Sequence, residues 1–259
     1  MLDETFIKAF MAHRKQGDLF HKGGRSAHEV FQTSTISALL ERIYDGQTTI
    51  GELAKHGDFG LGTFNALDGE MTVLDGVFYQ CRSDGHVYVA EPSAQTPFAV
   101  VMRFDPTVEI AVNNAMDFTT FTQALDNAVP SRNIFYAVRA DGVFDNVKVR
   151  AVPRQQKPYP TMSEIVQDQP EYDHHKVAGS LVGFRFPDYT VGLNAPGYHL
   201  HFISNDGRVG GHVLEFSTRQ VGVEIDITSD FHMELPEAGA FLDADLAKDN
   251  AAAINEVEK

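Results

Sequence analysis

Cysteine is nearly absent from this sequence: Cys81 stands alone among 259 residues. One thiol cannot close an intramolecular disulfide, so stability has to come from packing. Its setting, Val77-Phe78-Tyr79-Gln80-Cys81, reads as a small buried strand residue. A reactive thiol would want a nearby histidine and positive surroundings. Positive charge is also scarce. Lys and Arg total 21 against 36 Asp and Glu, for a formal net charge of -15. A general nucleic-acid binder needs a basic face, as does a protein held on an anionic membrane, and this balance argues against both. Long hydrophobic runs are missing too: no stretch reaches the ~20 apolar residues of a membrane span. The start, Met1-Leu2-Asp3-Glu4-Thr5-Phe6, brings acid early with no apolar core behind it. It does not read as a secretory signal, and the cytoplasm is the expected location.

What is present is an ordinary globular balance, 43% hydrophobic and 22% charged. The length suits one large domain or two modest ones sharing a core. The first thirty or so residues are polar and carry Gly23-Gly24-Arg25-Ser26, which reads as a loose leader over residues 1–29. Thr35 to Tyr44 reads as a short helix, with Ile36, Leu39, Leu40 and Ile43 at helical spacing and Ser34 or Thr35 as cap. Beyond Thr48, short runs rich in Val, Ile, Phe, Tyr and Thr alternate with Asp68-Gly69, Asp75-Gly76, Asp84-Gly85 and Asp141-Gly142. Apolar runs joined by Asp-Gly signal hairpins.

Strands are expected near residues 62–67, 71–74, 77–82, 87–90, 98–103, 134–140 and 143–152. A helix is expected over 117–127, where Phe118, Phe121, Thr122 and Leu125 share a side. Pro153, Pro158, Pro160 and Pro170 mark a linker or long crossing segment. Further strands follow near 177–186, 198–204, 209–216 and 221–227, and the tail from Ala240 has helix-forming composition. The expected fold is α+β and mainly β. Two mixed or antiparallel β-sheet domains, residues 30–152 and 153–259, carry a few short helices, and a tail folds back.

Three of the 11 histidines stand out in Gly197-Tyr198-His199-Leu200-His201-Phe202-Ile203-Ser204-Asn205-Asp206-Gly207-Arg208-Val209-Gly210-Gly211-His212. Side chains alternate along a strand, so His199 and His201 point the same way. A hairpin symmetric about Asp206-Gly207 pairs Ser204 with Val209 and therefore His201 with His212. Directly opposed residues share a face with Cβ atoms about 4.5–5.5 Å apart, so three imidazoles converge. That suits zinc with a fourth position open for water or substrate. Neutral imidazole serves manganese, iron, nickel or cobalt as well. Gly210 and Gly211 would let another segment or a ligand come close. A His-x-His pair alone is more simply two ordinary strand histidines; the register-matched third turns the reading toward a metal. His174-His175 cannot chelate easily, because neighbours on a strand face opposite ways, and reads as surface.

Gly197-Tyr198-His199-Leu200-His201-Phe202 followed by Gly210-Gly211-His212-Val213-Leu214 resembles the zinc-binding segment of the acetolactate decarboxylase family. Gly57-Asp58-Phe59-Gly60-Leu61-Gly62-Thr63-Phe64-Asn65 with Leu67-Asp68-Gly69-Glu70-Met71 resembles that family's N-terminal signature. The likeness runs from about Ser34 to the C-terminus. It implies a zinc-dependent lyase that converts 2-acetolactate to acetoin and carbon dioxide, in a two-domain mixed-sheet homodimer with its metal on the C-terminal sheet. It further implies catalytic roles for Glu70, Arg150 and a C-terminal glutamate, best matched by Glu258 with Glu256 close by, and a substrate contact for Thr63.

The chemistry fits that likeness. Losing carbon dioxide from a β-keto acid leaves an enolate, and a Lewis acid on the keto oxygen lowers the barrier. Chelation through hydroxyl and keto oxygens would favour the enediolate over the substrate, with no thiamine or pyridoxal needed. The planar fork of Arg150 suits a carboxylate or enediolate oxygen. One carboxyl, Glu258 or Glu70, would protonate a single face. From residues alone, Arg150 could equally be an exposed strand arginine, and Glu70 reads more simply as a solvated turn residue. Two rivals remain at this point. One is a cupin-type metal dioxygenase, which usually adds a glutamate ligand where Asn205-Asp206-Gly207 stands. The other is a non-catalytic metal or small-ligand binding module.

Overall fold

The computed structural model describes residues 28–248 and 252–254. Along the chain, β1 (Glu29–Thr33) leads into α1 (Ile36–Leu40), capped by the Thr35 hydroxyl, which accepts the Ala38 N–H. Then come β2 (Thr48–Thr49) and α2 (Ile50–His56), whose start is a capping box between Thr49 and Glu52. Strands β3 (Phe59–Thr63), β4 (Glu70–Leu74), β5 (Val77–Cys81), β6 (Val87–Val89), β7 (Gln95–Thr96) and β8 (Ala99–Met102) follow. Next are β9 (Val108–Val112), β10 (Met116–Asp117) and α3 (Phe118–Ala128), which Asp117 and Thr120 cap reciprocally. Two long strands, β11 (Phe135–Arg150) and β12 (Glu171–Phe186), flank α4 (Met162–Gln167). The described chain closes with β13 (Gly197–Ser204), β14 (Gly210–Thr228) and β15 (Asp230–Glu234).

Two large sheets organise these strands, and β2 pairs with β7 in a third, two-stranded one. The first runs β15-β1-β8-β3-β4-β5-β6, antiparallel except where β1 meets β15. The second runs β10-β14-β11-β12-β13, with β9 also on β14. Because β14 pairs with β11 along its length and with β13 at its start, β11 to β14 close into a ring. The sheets do not divide at residue 152: β9, β10 and β11 precede it in the second sheet, and β15 returns to the first.

Alternation decides which side each residue serves. Leu200 and Phe202 of β13 point into the ring's interior with Phe144, Phe216 and the α3 residues Phe121 and Leu125. On the other side, Val182 and Phe184 of β12 meet Phe59, Leu61 and Val100 of the first sheet in a shared core. His199 and His201 pair with Phe184 and Val182 respectively, so they too face the first sheet.

Several expectations are corrected. Asp141-Gly142 is not a turn: β11 runs straight through it, paired on both sides. A Cβ at Gly142 would stand 2.5 Å from the Gln220 carbonyl, so glycine serves a close strand approach there. Likewise β14 does not break between 216 and 221. The first helix stops at Leu40, well before Asp45-Gly46. The proline-rich stretch crosses between strands and carries α4, and the tail expected to be helical gives the 3₁₀ turn Gly239–Asp243 at its start and helical residues at 252–254. Of the expected leader only His28 and Glu29 are described; His28 is buried and Glu29 opens β1.

Candidate active site

The hairpin of β13 and β14 has the expected register: His201 lies opposite His212, and the Ser204 N–H donates to the Val209 carbonyl. All three histidines are buried. Nε2 of His199 is 3.3 Å from Nε2 of His201 and 3.1 Å from Nδ1 of His212. One nitrogen from each ring lies within 4.8 Å of the other two. Two nitrogens each 2.0–2.1 Å from one tetrahedral ion stand about 3.3–3.4 Å apart, so the rings are already spaced for a shared cation. His201 donates its Nδ1–H to the Met71 carbonyl of β4 at 2.7 Å, which turns the Nε2 lone pair toward the centre. Burial, with Arg150 adding to it, depresses His199 to about 3. Burial pushes His201 well below its ordinary value too. Both rings are therefore held neutral, the form that ligates a metal.

Arg150, at the end of β11, lies directly opposite His212. Arg150, His212 and His201 therefore form one row across three strands, on one face. Between Lys148 and Val149 the β11–β14 register shifts, with Leu214 the extra residue on β14. A bulge of this kind re-aims the side chains after it. Gly210 and Gly211 admit the neighbours: a Cβ on Gly210 would lie 2.6 Å from the Cys81 sulfur, and one on Gly211 2.5 Å from the Arg150 carbonyl. Cys81 is buried, its thiol pushed up to about 12 by burial and by Glu70, as an inert packing residue should be.

Glu70 opens β4 opposite Thr63. It is only 8% exposed, so it is no solvated turn residue. Its Oε2 is 3.8 Å from His201 Nε2. Thr63 is buried and donates its hydroxyl hydrogen to the Gly69 carbonyl at 2.8 Å. A single pocket is lined by Thr63, Glu70, Arg150, His199 and His212 on its polar side. Its other walls are apolar, with Ile36 and Leu39 of α1 and Met162 and Val166 of α4 among them. The structure thus brings together every described residue that the sequence singled out. Glu258 and Glu256 lie outside the described residues. Ile254 is described: it is buried in the same core cluster as Leu39, Val152 and Met162.

Residues 30–248 match the family model for alpha-acetolactate decarboxylase. The chain belongs to the alpha-acetolactate decarboxylase family. Among its relatives, the alpha-acetolactate decarboxylase of Methylococcus capsulatus is 57% identical over 257 residues, 99% of each chain. That of Methanosarcina mazei is 44% identical over 89% of this chain and 80% of its own. The crystal structure of the Bacillus subtilis alpha-acetolactate decarboxylase superposes with a TM-score of 0.87 at 38% identity, covering 89% of this chain and 99% of that one. Membership in this decarboxylase family makes the chain an enzyme, a carbon–carbon lyase of the carboxy-lyase class. No helix among the described residues is long and apolar enough to cross a membrane.

Sequence reasoning missed the Met71 carbonyl that orients His201 and the apolar wall from α1 and α4. The first leaves no signal, since any residue supplies a carbonyl. The second had one: Thr161 and Glu164 form a capping box ahead of Ile165, masked by the prolines around it.

Proposed function

We propose that the protein decarboxylates 2-acetolactate to acetoin and carbon dioxide, using a divalent transition metal, zinc foremost, held by His199, His201 and His212. One observation carries this reading: nitrogens of three buried imidazoles meet at cation spacing, and His199 and His212 line a pocket with a carboxyl and a guanidinium. When bound, the metal would act as a Lewis acid toward the hydroxyl and keto oxygens of the substrate. The family membership sets aside the cupin-type dioxygenase and the non-catalytic module.

The remaining steps belong to the chain's own groups. The bond from the carbinol carbon to the carboxylate carbon breaks, and its electron pair moves toward the keto oxygen. Arg150, buried and opposite His212, offers its planar fork to the departing carboxylate or to the enediolate oxygen. The Thr63 oxygen, whose own hydrogen is committed to Gly69, is left to accept the substrate hydroxyl. The carbinol carbon then takes one proton on one face. Glu70, buried and 3.8 Å from His201 Nε2, is the described carboxyl within reach and takes this proton-transfer role. Glu258, or Glu256, is the second candidate. In its support, Ile254, four residues earlier, is buried in the core cluster that also holds Ile36, Leu39 and Met162. A cytoplasmic homodimer completes this reading.

Incubating purified protein with 2-acetolactate tests the proposal. Acetoin and carbon dioxide should appear in equal amounts. Exhaustive chelation should abolish both, and restoring zinc should return them. Full turnover by a preparation free of metal would overturn the reading.

A further inference from the structure

The polar half of the pocket leaves the substrate's alkyl groups to be explained. The reactant's carboxylate, hydroxyl and keto oxygens are spoken for by the histidine centre, Arg150 and Thr63. What remains of a 2-hydroxy-2-alkyl-3-keto acid is its substituent on the carbinol carbon and its acyl tail, both apolar. Opposite the polar groups, two short helices each spend one face on the pocket. Ile36 and Leu39 of α1 are three residues apart, and Met162 and Val166 of α4 are four apart. Side chains at those spacings share a helical face. On α4 itself, Met162 and Ile165 are buried in the shared core, which anchors the helix.

Resting on the decarboxylase reading, we propose that α1 and α4 form the alkyl-recognition wall of the substrate site, with Met162 and Val166 setting the largest substituent accepted at the carbinol carbon. Met162 is buried, unbranched and free of polar atoms, so it fills whatever space the substrate leaves. Val166 is only partly buried and stiff at its branch point, so it gives the wall a fixed limit. Each methylene that fails to fit, or is newly accommodated, changes kcat/KM by roughly 10- to 200-fold in a hydrophobic pocket.

The test compares kcat/KM for 2-acetolactate with kcat/KM for its 2-ethyl and 2-propyl homologues. Met162→Ala should raise the propyl-to-methyl ratio at least ~10-fold, mainly through KM of the larger acid. Val166→Phe should lower the ethyl-to-methyl ratio by a similar factor. Gln167→Ala, exposed on the same helix, should leave both ratios alone. Binding of unreactive 2-hydroxy-2-alkyl acids of graded length, followed by calorimetry, should shift in the same directions. Binding involves no bond cleavage, so this arm judges the wall even if the unaltered protein releases no carbon dioxide from 2-acetolactate. Size ratios and binding order unchanged in both folded wall variants would overturn the proposal.

Discussion

Glu70 shows how a side chain's role can be hidden from its neighbours in sequence. Next to Asp68-Gly69 it looks like a solvated turn residue, yet it is buried and 3.8 Å from a ring nitrogen of His201. Its burial comes from β4 lying against the hairpin of the second sheet, a contact between residues some 130 positions apart, which no local pattern encodes. Arg150 was equally ambiguous until register put it opposite His212. If Glu70 handles the proton and Arg150 the developing charge, Glu70→Gln and Arg150→Ala should each lower kcat by at least ~100-fold. Both should remain folded by circular dichroism, and near-native turnover in both would remove them from the mechanism. His201 makes a different prediction. Its Nδ1 is fixed by Met71 and its Nε2 faces the other two rings. His201→Ala should therefore lose the metal, read as metal per protein chain by elemental analysis, and a fully loaded variant would contradict the ligand set.

At the scale of elements, the hairpin that carries the histidines was legible because two local rules agree on it. A period of two fixes which residues share a face, and the Asp206-Gly207 turn fixes which residues oppose. The same reasoning failed at Asp141-Gly142, where a turn signal competes with β12 and β14 pairing along the whole length of β11. Ladder bonds on both sides outweigh one dipeptide's preference. The extra strands β9, β10 and β15 are short or edge-bound, so pairing with distant partners defines them more than composition does. The glycine pair before His212 offers a test at this scale. Gly211 has φ of +148°, a region L side chains rarely adopt, and a Cβ there would meet the Arg150 carbonyl at 2.5 Å. Because that neighbour is backbone, relief requires β11 and β14 to part. Gly211→Ala should cost about 1–3 kcal/mol by urea unfolding and weaken metal retention, since His212 is the next residue. An unchanged unfolding midpoint would show that the approach is not as tight as it stands.

For the whole molecule, the question is what holds the sheets in the relation that builds the pocket. Much of the answer is apolar, in the core shared by Phe59, Leu61 and Val100 with Val182 and Phe184. A second tie is polar and was invisible in the sequence, because its members are far apart in the chain. Asp226 of β14 is fully buried. Its carboxyl faces the His28 ring just before β1 at 2.9 Å and accepts the Asp105 N–H, also at 2.9 Å. Burial raises this carboxyl from an ordinary 3.8 to about 6, against the pull of that N–H and of His28. The sign follows from proton binding. Between about 3.8 and 6 the fold keeps a proton that the unfolded chain releases, so the contribution of Asp226 is fully present below 3.8 and is lost as pH rises through 6. An asparagine cannot ionise and lacks this slope. Asp226→Asn should therefore gain stability relative to the parent on going from pH 4 to pH 7, by up to about 3 kcal/mol for a shift of this size. Urea midpoints of the two proteins at each pH unit decide the matter. Both carry the same three histidines, so the pH dependence of metal binding cancels in the difference. Parallel curves for variant and parent would show that Asp226 ionises in the fold as it does in the open chain.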